Sequence, residues 1–230
     1  MSQPAPTHPP PRLGAVLLAA GAASRMGHRP KGLLELEGEP VIVRLLRALN
    51  VVGVVRPVVV LGHHASRIAP VLRGQHVEAV VNPNPDAGQA SSLRLGLMAL
   101  SDEVEGVMVL LADQPLITAQ DIGELVTAYR RRPAGTEWVQ PSVQGLPGNP
   151  VIFSQHVRAQ LLAGPPEMGG KQWKEQHSQA VHAWASDNTH YRTDVDSPED
   201  IESLGLRTGV WLRWPADLSQ PLAPDAVETP

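Results

Sequence analysis

The first half of the chain alternates short apolar runs with stretches of helical spacing, and this alternation restricts the possible folds more than any other feature. The apolar runs are rich in Val, Leu and Ile without regular polar alternation, which is typical of strands buried on both faces. They cover residues 15–20, 57–62, 77–81 and 107–112. Helical spacing lies between them, at residues 40–50, 65–73 and 91–101. Such alternation predicts a mostly parallel sheet with right-handed crossovers, and hence a three-layer α/β/α domain.

The second half of the chain is less regular but still contains helix and strand signals. Thr118 is a good N-cap for a helix that we expect to end near Arg131. Strands are predicted at residues 137–143, 149–153 and 180–186, and short helices at residues 154–164 and 169–178. In the segment DSPEDIESLG, we expect Ser197 to cap a helix, Pro198 to be its first residue and Gly205 to follow its end.

Length and composition indicate how the chain is divided. With 230 residues, of which 42% are hydrophobic, it can bury one sizeable core, and we assign residues 13–208 to a single domain. The opening MSQPAPTHPPPR is rich in proline and lacks the apolar core of a signal peptide, so residues 1–12 are expected to form a flexible tail. The proline-rich, mildly acidic end predicts a poorly ordered extension over residues 209–230.

Charge and residue usage argue against several classes of protein. The net charge is −4 and no basic run is present, which argues against a nucleic-acid partner. Cysteine is absent, so disulfides and thiolate metal sites are excluded, and the nine histidines show no metal-site spacing. No run approaches the roughly 20 apolar residues of a membrane span, so no membrane contact is expected. We therefore expect a soluble, cytoplasmic protein.

The loop after the first predicted strand has the composition of a phosphate-binding loop. In an open α/β sheet, ligands bind beyond the carboxyl ends of the strands. Gly21 permits close backbone approach there, and the cations Arg25 and Lys31 suit a polyphosphate, although each could also be an ordinary solvated side chain. The segment matches neither G-x-x-x-x-G-K-[ST] nor G-x-G-x-x-G, so neither a Walker ATPase nor a dinucleotide site is supported.

The same segment, LLAAGAASRMGHRPK (residues 17–31), resembles the L-A-A-G-x-x-x-R-M-G…K signature of the MobA-like nucleotidyltransferases. Four further segments agree with that family in order: GQASSLRLGL (88–97), LLADQPLIT (110–118), GLPGNPVIF (145–153) and DVDSPEDI (194–201). The resemblance covers about residues 13–204 and implies the Rossmann-like fold of the nucleotide-diphospho-sugar transferases. Two departures are that Ala23 stands where the family often has Ser, and that the spacing from Gly27 to Lys31 is one residue longer than in many relatives.

The resemblance implies a set of nucleotide-binding residues, namely Ala19, Ala20, Gly21, Arg25, Lys31, Gln89, Ser91 and Ser92. Arg25 and Lys31 would hold the triphosphate and neutralise the charge that builds on departing pyrophosphate. Gln89 and Ser92 would lie near the nucleobase, where amide and hydroxyl groups suit hydrogen bonding to a base edge. Ser91 or Ser92 could equally serve only as the cap of the following helix.

Two aspartates are implied as Mg²⁺ ligands. Asp113 ends an apolar strand and Asp196 lies far along the chain, and Mg²⁺ commonly takes one or two carboxylates together with phosphate oxygens. If its segment is extended, Asp194 points the same way as Asp196, so either could reach the ion. The alternatives are that Asp113 is a turn residue, and that Asp194 or Asp196 only helps to cap the following helix.

On the acceptor side, the resemblance implies Gly148, Asn149 and Lys171, although Lys171 could also be an ordinary exposed lysine. It implies a nucleotidyltransferase in which Arg25, Lys31 and Asp113 carry the catalysis. The donor would be CTP, because LAAG resembles the molybdenum cofactor cytidylyltransferase branch rather than LAGG guanylyltransferases. The acceptor would be molybdopterin and the recipient a molybdenum hydroxylase apo-enzyme. Use of GTP, a sugar-phosphate acceptor and a non-catalytic cofactor-binding maturation factor remain open alternatives.

Overall fold

The computed structural model describes residues 12–54 and 56–222. Its strands are β1 (Leu13–Ala19), β2 (Glu35–Leu36), β3 (Glu39–Pro40), β4 (Val58–Leu61), β5 (Glu78–Val81), β6 (Gly106–Leu111), β7 (Trp138–Val143), β8 (Leu146–Pro147), β9 (Val151–Ser154), β10 (Val181–Ala185) and β11 (Leu212–Arg213). Its α-helices are α1 (Val41–Val51), α2 (Ala65–Leu72), α3 (Gln89–Ala99), α4 (Ala119–Arg130), α5 (Gln155–Ala163), α6 (Gly170–Gln176) and α7 (Pro198–Thr208).

The main sheet confirms the predicted α/β class. Its strand order is β10-β7-β9-β6-β1-β4-β5, with β8 paired to β7. The central strand β1 is parallel to β4 and to β6, in registers that place Val16 opposite Val58 and opposite Val109. Strand β9 runs antiparallel to both of its neighbours, so the sheet is mostly rather than wholly parallel. The carboxyl ends of β1, β4 and β6 therefore meet at one edge.

Both faces of the central strands are covered, which explains their continuous apolar sequences. In β1, Leu17 belongs to the core cluster beneath α1 and α4, whereas the next residue, Leu18, belongs to the cluster beneath α3 and α5. Helix α3 approaches β1 closely, because a Cβ atom at Gly96 would lie 2.5 Å from a methyl group of Val16. This packing fixes the start of α3 near the carboxyl edge of the sheet.

Two element predictions were wrong. Residues 77–81 were expected to form a strand buried on both faces, but β5 pairs only with β4 at the sheet edge, and Val81 is 47% exposed. Gly205 was expected to follow the last helix. Helix α7 instead continues to Thr208 and ends at Gly209, whose φ of 74° suits glycine. Gly205 lies inside α7 because the ring of Trp211 packs against it and leaves no room for a Cβ atom.

The extension predicted from residue 209 packs against the domain as far as residue 222, the last residue described. Residues 212–222, here called the C-terminal strap, begin with β11, which pairs antiparallel with β2. Leu218 is buried, and the backbone N–H of Leu222 donates to the Gly27 carbonyl at 2.9 Å. The buried Arg29 guanidinium donates to Leu218 and Ser219 carbonyls at 3.3 and 3.4 Å. The strap therefore packs against the loop that follows β1.

The predictions for residues 1–11 and 223–230 lie outside the described residues. Within the described ranges, no helix combines the length and the apolar character needed to cross a bilayer.

Candidate functional site

The loop after β1 is a closed turn held from two sides. A 3₁₀ turn covers Ser24–Met26, and Ala23 before it has a positive φ of 51°. The N–H groups of Met26 and His28 both donate to the Ala23 carbonyl, at 2.9 and 3.1 Å. His64 bonds through Nε2 to the Ala22 carbonyl at 3.1 Å, and the C-terminal strap holds the opposite end through Arg29. The loop is therefore shaped by residues distant in sequence.

Four charged side chains predicted as site residues meet at the carboxyl edge of the sheet. The Lys31 ammonium donates to Asp113 Oδ2 at 2.8 Å and to Asp196 Oδ1 at 2.5 Å. Arg25 donates to Asp196 Oδ2 at 2.8 Å. The Asp196 segment is positioned by the backbone, because the Val195 N–H donates to the Asp113 carbonyl at 2.9 Å. We call Arg25, Lys31, Asp113 and Asp196 the ionic cluster.

The ionic cluster is electrostatically balanced, with two cations and two carboxylates. Burial lowers the pKa of Lys31, but the charges and hydrogen bonds of Asp113 and Asp196 outweigh it, so the net effect is a raised pKa. The hydrogen bond from Lys31, with a smaller contribution from Arg25, lowers the pKa of Asp196 despite partial burial. Lys31 therefore stays an ammonium and Asp196 a carboxylate near neutral pH. Arg25 is the least constrained member, with its side chain 69% exposed.

The two aspartates fit a hard divalent cation. Asp113 Oδ1 is buried and has no hydrogen-bond partner among the described residues, so one carboxylate oxygen is left for another ligand. No group of three or more His, Asp or Glu side chains in the described ranges is arranged to hold a metal. Asp113 and Asp196 could therefore supply two oxygen ligands, with phosphate and water supplying the rest, as Mg²⁺ commonly requires.

A cavity of about 290 Å³ lies beside the ionic cluster. Seven of the predicted site residues line it, namely Ala19, Ala20, Gly21, Lys31, Gln89, Ser92 and Asp113. Apart from Gly21 and its two chain neighbours, no heavy atom of the described residues would lie within 4 Å of a Cβ atom at Gly21, so the backbone there is open to a ligand. Arg25 and Asp196 do not line the cavity but connect to it through Lys31. The structure thus brings the nucleotide and metal candidates together.

Helix α3 begins earlier than the sequence suggests. Gly88 is its N-cap, so the alternative that Ser91 or Ser92 caps the helix is wrong. The side-chain amide of Asn82 donates to the hydroxyls of Ser91 and Ser92, each at 2.9 Å. Ser91 is used in this link between β5 and α3, whereas Ser92 is buried and also lines the cavity.

Asp196, and not Asp194, joins the ionic cluster. Asp194 lines a separate cavity, whose wall also includes Arg192 and Arg207. Neither residue caps α7. Asp200 accepts hydrogen bonds from the Ser197 N–H at 2.8 Å and the Asp196 N–H at 2.9 Å, and so completes that helix start. The Asp196 carboxylate is left to bind cations.

The loop holding Gly148 and Asn149, which was predicted to face the acceptor, lies close to Asp113 through the buried Gln114. Gln114 Nε2 donates to the Asn149 and Tyr191 carbonyls, each at 3.3 Å. Gly148 must be glycine because a Cβ atom would lie 2.6 Å from the Tyr191 carbonyl oxygen. The predicted acceptor residue Lys171 is exposed and makes none of the described side-chain bonds.

Gln114 and His64 were missed by the sequence reasoning. Gln114 is only 2% exposed, and its position between Asp113 and Pro115 is the available signal, because a polar residue directly after a buried strand must find partners. His64 is also 2% exposed and lines the cavity. The neighbouring His63 bonds instead to Asp86, so the two adjacent histidines have different partners.

Comparisons with known proteins agree with this geometry. The model of the MobA-like NTP transferase domain matches residues 15–181. Bifunctional protein GlmU of Heliobacterium modesticaldum is 38% identical over 112 residues, which are 48% of this chain and 24% of that protein. Nicotine blue oxidoreductase of Paenarthrobacter nicotinovorans is 32% identical over 120 residues, 52% of this chain and 58% of that protein. The chain thus matches about a quarter of the length of the GlmU relative.

Among solved structures, Rv0371c from Mycobacterium tuberculosis H37Rv aligns with a TM-score of 0.70 and 26% identity, covering 85% of this chain and 98% of that one. The same mycobacterial protein has been solved in complex with manganese. The fold, the ordered motifs and the family match over residues 15–181 lead to one conclusion. The chain belongs to the MobA-like NTP transferase domain family, within the nucleotidyltransferases of the nucleotide-diphospho-sugar transferase fold.

Proposed function

We propose that this protein is a Mg²⁺-dependent nucleotidyltransferase that transfers CMP from CTP to molybdopterin and releases pyrophosphate. The observation that carries the proposal is the ionic cluster, in which Lys31 joins Asp113 and Asp196 beside a cavity of about 290 Å³. The choice of CTP rests on the LAAG sequence at residues 18–21. The molybdopterin acceptor, and a molybdenum hydroxylase apo-enzyme as recipient of the product, rest on the resemblance of the motifs.

In the proposed reaction, an acceptor phosphate oxygen attacks the α-phosphorus of the nucleotide in line. A new P–O bond forms, the bond to the bridging oxygen breaks, and pyrophosphate leaves with the electron pair. No general base is needed, because a phosphate monoester is already largely ionised near neutral pH. The protein therefore contributes mainly positioning and charge neutralisation.

The residues of the ionic cluster divide these tasks. Lys31 uses two of its three N–H donors on the aspartates and keeps one for a phosphate oxygen. Arg25 is exposed and could turn its remaining donors to the departing pyrophosphate. Asp113 and Asp196 would hold Mg²⁺, which when bound supplies further neutralisation of phosphate charge. Gln89 and Ser92 in the cavity wall would contact the nucleobase, and the open backbone at Gly21 the phosphates.

The acceptor would approach from the loop of Gly148 and Asn149. This loop is fixed relative to Asp113 by the two hydrogen bonds of Gln114. Lys171 remains a proposed long-range contact for the acceptor, since its exposed side chain is free to move. The acceptor loop would thereby present the incoming phosphate to the nucleotide side of the site.

The test is to offer purified protein each of the four NTPs with Mg²⁺ and molybdopterin, and to measure pyrophosphate release. Release with CTP alone is the expected result. Release with GTP would change the donor, and release only with sugar phosphates would change the acceptor. Nucleotide binding without any turnover would instead identify a non-catalytic maturation factor. Replacing Mg²⁺ by Mn²⁺ in parallel reactions would measure the metal preference.

A further inference from the structure

Lysine is rare in this chain and concentrated in two places. Only three lysines occur among 230 residues, against sixteen arginines. Lys31 belongs to the ionic cluster, and Lys171 and Lys174 lie on the short helix α6. A lysine carries three rotatable donors on a compact charge, which suits a phosphate group that arrives in varied orientations.

Lys174 differs from Lys171 in its surroundings. Its ammonium donates to the side-chain oxygen of Gln140 at 2.6 Å and lies 5.6 Å from the centre of the Trp138 ring. Gln140 is only 8% exposed. Among the described residues no carboxylate forms an ion pair with Lys174. The side chain is half-buried, and burial lowers the pKa of Lys174, because the nearby Glu175 charge compensates only in part for the lost water.

The position of Lys174 connects the cavity with the acceptor loop. At the start of α6, a Cβ atom at Gly169 would lie 3.3 Å from Ala90, whose neighbour Gln89 lines the cavity. Lys174 lies further along the same helix and donates to Gln140. Gln140 in turn links Lys174 to the acceptor loop, because Gln140 Nε2 donates to the Gly148 carbonyl at 3.0 Å. Helix α6 therefore lies between the proposed nucleotide site and the loop proposed to receive the acceptor.

We propose that Lys174, held by Gln140, binds the phosphate of the acceptor. This inference rests on the proposed function, because it places the second substrate of that reaction. Gln140 occupies one ammonium donor and leaves two, and a phosphate monoester offers a negative charge to a cation that forms no ion pair among the described residues. Lys174, rather than the exposed Lys171, is then the main acceptor cation on α6. No covalent step is assigned to Lys174.

The scarcity of lysine makes a direct footprint possible. The full chain is treated with a reagent that methylates free lysine amines, and the modification of each lysine is quantified by peptide mass spectrometry. Inorganic phosphate is the probe, with CTP and Mg²⁺ present to occupy the nucleotide site. We expect phosphate to protect Lys174 more strongly than Lys171. Equal protection of both lysines, or protection of neither, would overturn the proposal.

Three variants then test the affinity. Lys174→Met keeps the apolar stem over Trp138 and should weaken inorganic phosphate binding about tenfold, the effect typical of one charged hydrogen bond. Lys174→Arg keeps the charge and should retain most of the affinity for inorganic phosphate. If Lys174→Met folds poorly, Lys174→Arg still tests the role of the charge. Gln176→Ala, an exposed change on the same helix, is the matched control.

CTP binding with Mg²⁺, measured by calorimetry on the same proteins, separates this inference from the proposed function. Unchanged CTP affinity with weakened phosphate binding in Lys174→Met supports the acceptor role. Equal losses of both affinities would place Lys174 with the nucleotide and overturn the inference. Absence of CTP binding in the unmodified protein would overturn the proposed function. The protection of Lys174 by phosphate is a separate measurement and tests only the role of Lys174.

Discussion

The proposed nucleotide side and the proposed acceptor side of the site are built in different ways. On the nucleotide side, four charged side chains from distant parts of the chain pair with one another at 2.5 to 2.8 Å. On the acceptor side, neutral amides bind backbone carbonyls, as Gln114 and Gln140 do, and Lys174 makes its described hydrogen bond to an amide. Ion pairs between side chains hold the first region together, and hydrogen bonds from side-chain amides to backbone carbonyls hold the second.

This difference indicates how each region should respond to change. In the ionic cluster, a bound metal or phosphate would replace existing ion pairs with new ones. Altering one member of the cluster should therefore affect the chemical step. On the acceptor side, a lost amide contact should displace the loop and mainly weaken binding. The following predictions test that contrast, in order of expected size.

The largest effect is expected for Asp113→Asn. This change removes a proposed metal ligand and one carboxylate partner of Lys31 while keeping the side-chain shape. Turnover should fall about 10³-fold or more, measured as pyrophosphate release under saturating substrates. An unaltered circular dichroism spectrum would show that the fold is retained. Activity within tenfold of the unmodified protein would remove Asp113 from the mechanism.

Arg25→Ala should reduce kcat by about 10²-fold, because the variant loses the donor that we propose for the departing pyrophosphate. The same change should alter the free energy of unfolding by less than about 1 kcal/mol, since the Arg25 side chain is 69% exposed. Steady-state kinetics and denaturant titration measure the two effects. A loss of stability without a loss of kcat would contradict the assigned role.

Gln114→Met should mainly affect the acceptor. The change removes both hydrogen bonds that tie Asn149 and Tyr191 to the segment after Asp113. We expect the KM for molybdopterin to rise about tenfold while the KM for CTP changes little. Gln120→Ala, an exposed glutamine change on α4, serves as the control. Equal effects on both KM values would show that the two regions are not separable.

The smallest effect concerns His64 and pH. Burial is the largest cause that lowers the pKa of His64 from the ordinary value of 6.5, although the hydrogen bond to the Ala22 carbonyl acts in the opposite direction. The unfolded chain therefore takes up the proton first, so this contribution to stability is complete above about pH 6.5 and is lost as pH falls through the lower folded-state pKa.

Denaturant titrations of the unmodified protein and His64→Asn between pH 7.5 and 5 measure this contribution. The stability advantage of the unmodified protein should shrink as the pH falls. An advantage that grows in acid would mean that His64 is charged in the folded state, with an acceptor for its second ring N–H.

Much of the fold was predictable from the sequence because buried parallel strands carry a strong local pattern. The runs at β1, β4 and β6 and the helices between them needed no long-range information. β5 was misjudged because an apolar edge strand has the same local sequence as a central one. The length of α7 was misjudged because Gly205 is required by Trp211, a tertiary contact, and not by the helix end.

The candidate site was predictable where family motifs contain its residues. The motifs indicated Lys31, Asp113 and Asp196, which the structure brings within hydrogen-bonding distance. Gln114 lies within the LLADQPLIT motif, but neither Gln114 nor Lys174 was identified as a site residue, because their contacts are to backbone carbonyls and to a glutamine that only the folded chain brings near. The choice between Asp194 and Asp196 likewise depended on the Val195 backbone bond.

The C-terminal strap has a consequence for the order in which the site matures during synthesis. The loop after β1 is translated early, but Arg29 obtains two of its carbonyl acceptors from Leu218 and Ser219, 189 and 190 residues later. Until those residues leave the ribosome, the guanidinium has no buried partners at that end of the loop. A nascent chain halted before the strap would therefore contain every residue of the ionic cluster. The loop that carries Arg25 and Lys31 would still lack its hydrogen bonds to the strap.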